Sequence, residues 1–358
     1  MMWKKTARGV AGVALLLMLL VGFEARAQVG TGSTASFAGR VETVRFASKL
    51  TGREMPYSVL LPLDYSRPAN RATRYPVLYL LHGLTGHYDD WLSRTKLAYY
   101  AAAYQLIIVT PEGGNGWYTD SESAPADKYE SYIVQELIPH VAASYRTIET
   151  REGRAVAGLS MGGYGALKFG VKHADKFVFA ASMSGAVGAA SWNREEDLPG
   201  GLIRRSLVET FGAPDSPTHK ANDLFVLFRD LPPERIGALP FLYLDCGTED
   251  ELQLLPTNRA LADLFVARKI PHEYRQLPGK HNWQYWNQQI QDVLRIAAQR
   301  VSQPQQAARA TAASMTPRVR AVAVHRRPTP RRATEAMTGA LFITRQLKRE
   351  STRRTIER

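Results

Sequence analysis

Cysteine is nearly absent from this chain. Its 358 residues contain one, Cys246. A single thiol excludes an intramolecular disulfide, so the fold rests on its core, which a chain of this length can build. Cys246 lies in the apolar run Phe241-Leu242-Tyr243-Leu244-Asp245-Cys246 and reads as a buried strand residue rather than a nucleophile. Metal-ligand spacing is missing as well. His140 and His173 stand isolated, and Gly113-Gly114-Asn115-Gly116 lacks the lysine of a phosphate loop. Neither a metal nor a cofactor is expected. No internal repeat is visible. The apolar stretch at residues 10–21 falls short of the ~20 residues a membrane-spanning helix needs.

That stretch has another reading. Lys4, Lys5 and Arg8 precede it and Ala25-Arg26-Ala27 follows it, the order of a secretory signal with its cleavage site. Residues 1–27 are therefore expected to be a signal peptide and the protein to be exported, periplasmic or secreted. An uncleaved anchor is the alternative. A lipoprotein is excluded, since the single cysteine is Cys246 and no lipidation cysteine follows the apolar stretch. Charge is unevenly spread. Of 46 Lys and Arg and 33 Asp and Glu, residues 1–27 hold 4 and 1, and residues 303–358 hold 13 and 3. Residues 28–302 keep 29 of each, so the formal net charge of +13 belongs to the two ends. Bulk electrostatics therefore does not choose the partner, and no specific nucleic acid is expected. Residues 303–358 lack core periodicity and read as a disordered basic tail, capable of weak contact with anionic surfaces.

Between these ends, residues 28–302 read as one catalytic domain. Residues 41–47 and 57–61 suggest an early hairpin. Residues 76–81, 106–110, 155–159, 178–182 and 241–246 are continuous apolar runs, the mark of strands buried on both faces. Helical spacing marks 128–143 and 258–269. The order implies an α/β fold with a mostly parallel central sheet flanked by helices. Residues 186–236 mix Gly, Pro and charge with short apolar patches. They fit an insertion of short helices, either a lid or substrate wall or a plain surface excursion.

The most informative stretch is Gly158-Leu159-Ser160-Met161-Gly162, between a strand and a helix opened by small residues. This pattern describes a sharp elbow that exposes a serine Oγ at a helix N-terminus, with the Met161 N–H aimed at a developing oxyanion. Such a serine needs a base, and the base needs an orienting acid. His272 sits inside the strand-like 271–277 and His325 in the tail. His281 follows a loop that leaves a strand end, where a base can reach over the sheet. For the acid, Asp250 lies past the Gly247 turn and is preferred. Asp245, still in its strand, comes second as a buried structural carboxylate, and Glu249 last. A second oxyanion donor is expected from His82-Gly83-Leu84, where Gly83 permits a turn that directs the Leu84 N–H inward. His82 itself fits a loop-bracing role.

His82-Gly83-Leu84, Asp89-Asp90-Trp91, residues 158–167, Cys246-Gly247-x-x-Asp250 and His281-x-Trp283-x-x-Trp286 together resemble the putative-esterase family of α/β-hydrolases over residues 40–300. That family is similar to esterase D (S-formylglutathione hydrolase), feruloyl esterases, tributyrin esterase-like enzymes and mycolyltransferases. The resemblance implies the α/β-hydrolase fold, a Ser160, Asp250, His281 triad and an oxyanion hole of the Leu84 and Met161 N–H groups. Asn282 departs from the pattern, where relatives often carry Asp. Trp91, Trp117, Tyr118, Trp283 and Trp286 crowd the expected pocket loops. Trp117, Tyr118 and Trp283 are the candidates for stacking on an aryl acyl group or a sugar ring, against the plainer reading that they pack.

The expectation is an exported serine esterase acting on a small-molecule or polysaccharide-linked ester, of short acyl or feruloyl and acetyl type. An acyltransferase with the same triad is the alternative. A non-catalytic surface- or polysaccharide-binding module is the alternative of another class. S-formylglutathione hydrolysis is disfavoured, because a signal peptide leads away from cytosolic glutathione.

Overall fold

The computed structural model describes residues 40–306. The expected signal peptide and residues 307–358 of the tail lie outside the described residues. Ten strands are described: β1 (Val41–Ala47), β2 (Glu54–Leu60), β3 (Thr73–Arg74), β4 (Val77–Leu81), β5 (Ile107–Pro111), β6 (Arg154–Leu159), β7 (Phe179–Met183), β8 (Phe241–Gly247), β9 (His272–Leu277) and β10 (Gln305–Gln306). Eight form one sheet in the order β1-β2-β5-β4-β6-β7-β8-β9. β1 and β2 form the expected antiparallel hairpin and β2 joins β5 antiparallel. From β5 to β9 every pairing is parallel.

Alternation along the strands explains why helices cover both faces. In β4, Val77, Tyr79 and Leu81 enter one hydrophobic cluster, and Leu78 and Leu80 enter the other. β5 divides likewise, with Ile107 and Val109 on one side and Ile108 on the opposite side. A sheet apolar on both faces must be capped on both. The helix Met161–Lys172 supplies Tyr164, Leu167, Phe169 and Val171 to the first cluster. The helix Trp283–Arg300 supplies Tyr285, Trp286, Ile290, Val293 and Leu294 to the second.

Two details depart from expectation and one meets it. The helix expected over 128–143 is split: Tyr129–Ser131 and Ile138–Ser144 flank a widened π segment, Tyr132–Leu137. Pro139 accounts for it, since it has no N–H to give the carbonyl four residues back and its ring crowds that turn. The 186–236 insertion contains the short helices Gly201–Phe211, Pro217–Asn222, Leu224–Arg229 and Pro233–Ile236. Finally, ordered pairing continues past residue 302, where β10 lies antiparallel to β3.

One polar cluster is built into the first core. The Lys168 ammonium is fully buried, 2.7 Å from the Tyr118 carbonyl, 2.6 Å from Thr119 Oγ1 and 2.9 Å from Glu130 Oε2. Burial pushes Lys168 down to about 8, with Glu130 working against that shift. Lys172 and His173 also meet Glu130, at 3.0 and 2.9 Å. This cluster fastens the helix Met161–Lys172 to Tyr118, Thr119 and Glu130.

Candidate active site

Ser160 leaves β6 and opens the helix Met161–Lys172 with φ 53° and ψ −116°. The motif glycines are dictated by contact. A Cβ on Gly158 would lie 2.4 Å from the Gly162 carbonyl carbon, and one on Gly162 would lie 2.6 Å from the Leu81 and His82 carbonyl oxygens. Main-chain bonds hold the elbow. The Ser160 N–H donates to the Met183 carbonyl at 3.0 Å, and the Ser160 carbonyl accepts from Tyr164 and Ala186, each at 3.1 Å.

Two loops at neighbouring strand ends converge on this serine. Asp250 follows β8 and His281 follows β9. His281 Nε2 lies 3.0 Å from Ser160 Oγ, and its Nδ1 lies 2.8 Å from Asp250 Oδ2. The Asp250 side chain is wholly buried and that of His281 is 11% exposed, so the bonds form where water competes little. Asp250 is anchored in turn. Its Oδ1 accepts the Leu252 N–H at 3.0 Å, and the Cys246 thiol lies 3.9 Å from Oδ2. Burial raises the Cys246 pKa, which keeps it a thiol. Asn282 caps the helix Trp283–Arg300 by accepting the Tyr285 N–H at 3.0 Å, so the departure from the family pattern retains a capping oxygen.

The competing acids and bases lie elsewhere. Asp245 is completely buried, and its Oδ1 accepts from the Tyr285 hydroxyl at 2.8 Å. Strand alternation explains this: Tyr243 of β8 enters the cluster packed by Trp283–Arg300, and Asp245, two residues on, shares its face. Burial pushes Asp245 up to about 7, against the Tyr285 hydrogen bond that lowers it. Glu249 is exposed. His272 lies in β9 with Nδ1 2.9 Å from the Ile270 carbonyl, and His325 is outside the described residues. His82 is buried: its Nδ1 lies 2.7 Å from the Gly83 carbonyl, and its Nε2 accepts the Gly113 N–H at 2.9 Å.

A cavity of about 500 Å³ opens over Ser160, lined by Leu84, Leu202, Ile203, Leu252, His281 and Trp283 among others. The Met161 N–H starts its helix, where intrahelical partners are lacking. A Cβ on Gly83 would lie 2.6 Å from Leu159 Cδ1 and in ordinary contact with the Ser160 Cβ, so the loop after β4 rests against the elbow.

The aromatic candidates separate. Trp283 lines the cavity, its ring 5.3 Å from that of Trp286, which meets the His281 ring edge-on at 5.0 Å. Trp117 and Tyr118 do not reach the cavity, contrary to expectation. Trp117 is buried and donates to Ser206 Oγ at 3.0 Å; Tyr118 is fully buried and donates to the His82 carbonyl at 3.0 Å. The turn after Pro111 carries both rings into the core against Tyr164 and Phe169. Trp91 is buried too, its Nε1 donating to the Leu81 carbonyl.

Sequence reasoning missed Leu202, Ile203 and Leu252, which line the cavity beside the Arg94–Asp90 ion pair of 2.7 Å. Asp89-Asp90-Trp91 was the one available signal for that pair. Nothing in the 186–236 stretch singles out Leu202 and Ile203.

Comparison with known proteins agrees with this architecture. Residues 48–296 match the family model described as "Putative esterase". The chain is similar to an acetyl esterase of Caldicellulosiruptor saccharolyticus, 29% identical over 263 residues, 70% of this chain and 95% of that protein. A diacylglycerol acyltransferase/mycolyltransferase Ag85B of Mycolicibacterium smegmatis is 27% identical over 334 residues, covering 82% of this chain and 94% of its own. Among solved structures, a ferulic acid esterase superposes with a TM-score of 0.60 at 28% identity, over 72% of this chain and 98% of that one. The chain thus belongs to the putative-esterase family and is a carboxylic-ester hydrolase of the α/β-hydrolase fold.

Proposed function

We propose that the protein is an exported serine esterase in which Ser160, His281 and Asp250 act as one unit. The single observation that carries this reading is the continuous chain of contacts from Ser160 Oγ through His281 to Asp250, at 3.0 and 2.8 Å. Ser160 Oγ attacks the ester carbonyl while His281 Nε2 takes its proton. Asp250 holds the Nδ1–H tautomer and stabilises the imidazolium. The Leu84 and Met161 N–H groups receive the charge that develops on the carbonyl oxygen. His281 then returns the proton to the departing alcohol, leaving an acyl-enzyme. Water repeats the sequence and frees the acid.

The cavity and the relatives support a short-acyl or aromatic-acyl ester as the substrate class. Leu84, Leu202, Ile203 and Trp283 among the lining residues suit a short or aromatic acyl group. Acetyl and ferulic esters, named for two of the relatives, are the first to try. Export rests on the signal-like order of residues 1–27. A second reading, acyl transfer to a hydroxyl acceptor, is favoured by the likeness to the mycolyltransferase.

The test is Ser160→Ala assayed on p-nitrophenyl acetate and methyl ferulate, with an organophosphonate label on the wild type. Loss of several orders of magnitude in kcat and labelling of Ser160 are expected. Near-normal turnover, or a label elsewhere, overturns the reading. Added glycerol distinguishes the two fates of the acyl-enzyme: glycerol ester as the main product favours transfer, free acid favours hydrolysis.

A further inference from the structure

Residues 112–118 carry a Gly-rich, aromatic stretch that the cavity does not use. We infer that this stretch is a brace for the loop bearing the Leu84 N–H, and that Asn115 is its positioning residue. The inference rests on the proposed role of that N–H as an oxyanion donor.

The loop after β4 is short of internal restraint on one side. The Gly86 N–H closes back to the Gly83 carbonyl at 3.0 Å, and the His87 N–H donates to Asp90 Oδ2 at 3.0 Å. Both bonds stay within the loop and the short helix after it. The Thr85 N–H instead donates to Asn115 Oδ1 at 2.8 Å, across 30 residues of sequence. Thr85 is held at φ 64°. A β-branched residue adopts that region only when its surroundings impose it. The peptide carrying the Thr85 N–H is the next one along from the peptide carrying the Leu84 N–H. Whatever holds the first orients the second.

The brace is itself held from below. Trp117 and Tyr118 stand at φ 52° and 50°, with both rings buried. The Tyr118 carbonyl takes the buried Lys168 ammonium, and its hydroxyl reaches the His82 carbonyl at the root of the Leu84 loop. The Gly113 N–H meets His82 Nε2. Residues 82–87 and 112–118 are thus tied through His82, Thr85 and His87, the last with its Nδ1 3.3 Å from Glu112 Oε2, and Asn115 supplies the bond nearest Leu84. Asn115 is exposed, so its substitution removes this bond without opening the core.

Asn115→Ala and Asn115→Asp test the idea on the full chain. The Ala variant removes the acceptor. Removing an oxyanion donor outright costs ~100-fold or more, and displacing one costs less. A kcat loss of about tenfold is expected, with KM within about twofold and an unchanged thermal midpoint. Affinity for a trifluoromethyl ketone, which forms a tetrahedral adduct, should fall by the same factor as kcat/KM. The Asp variant keeps an acceptor for the Thr85 N–H and should restore kcat to within about threefold of wild type. Its added charge is exposed, so any remaining deficit should shrink with salt. The proposal is overturned if the Ala variant keeps wild-type kcat while a phosphonate still labels Ser160. It is also overturned if Asp is as poor as Ala, or if KM alone changes. Persistent turnover by Ser160→Ala is a separate outcome that removes the reading beneath it. Should the Ala variant fail to fold, Asn115→Leu, close in size and without an acceptor, is read in its place against the same kcat and ketone-affinity outcomes.

Discussion

The two sides of Ser160 are built from different materials. On one side, Asp250 and His281 present side chains on loops after β8 and β9, joined by a 2.8 Å contact. On the other, in the reading proposed above, the loop after β4 and the first turn of Met161–Lys172 supply main-chain N–H groups. Side-chain machinery is written residue by residue, so a point substitution removes it. Main-chain machinery is written in the loops that shape it, so it yields only to changes in those loops. The consequence is an asymmetry in how the two sides respond to mutation.

The sharpest way to break that contrast is at the end of β8. Asp250→Asn should lower kcat by about 10³–10⁴-fold, since an amide no longer enforces the required histidine tautomer. Asp245→Asn, five residues away and equally buried, should leave kcat within a few-fold of wild type. Steady-state kinetics of both variants decide it, and a severe Asp245→Asn with a mild Asp250→Asn would reverse the assignment. The next contrast lies between two tryptophans. Trp283→Ala should raise KM for an aromatic ester several-fold with little change in stability. Trp117→Ala should cost roughly 3 kcal/mol or more of folding free energy, as expected for emptying a core site, and leave KM alone. Urea unfolding beside KM measurements separates the two. An equal KM effect from both would restore Trp117 as a substrate residue.

The smallest expected effect concerns pH. Burial holds Asp245 at about 7, so the native state keeps a proton that the unfolded chain, with an ordinary carboxyl, has lost. The stabilising contribution of that proton is full below about pH 4 and is lost as pH rises through about 7. Asn at 245 has no such proton to lose and still offers an oxygen to Tyr285. The stability of Asp245→Asn relative to wild type should therefore rise between pH 5 and pH 8 in urea titrations. A flat difference would mean that Asp245 is ionised throughout.

Legibility followed the same division of materials. The parallel strands were readable because apolar runs buried on both faces leave a continuous signal, and each lies within a residue or two of its expected place. The convergence of Ser160, His281 and Asp250 was readable because their order and the loops around them are constrained. The aromatic loop was not. Trp117 and Tyr118 follow a strand end just as a pocket residue would, and whether such a ring turns outward or inward depends on two positive φ values that no residue type announces. Leu202 and Ile203 were hidden for a related reason: their helix, Gly201–Phe211, is tied to residues distant in sequence, as by the Trp117–Ser206 bond. The π segment at Tyr132–Leu137 shows the converse, a local irregularity with a local cause in Pro139 that periodicity alone passes over.

The backbone of Ser160 has a consequence for any effort to harden this protein. A non-glycine residue at φ 53° and ψ −116° costs on the order of 1–3 kcal/mol, a fair fraction of a domain's margin over unfolding. The relief is one substitution away, because glycine adopts that geometry freely. Selection on heat resistance alone will therefore favour Ser160→Gly, trading away the hydroxyl on which turnover is proposed to depend. Stability and activity are set against each other at a single residue, and a screen must carry an activity gate to keep the enzyme it began with.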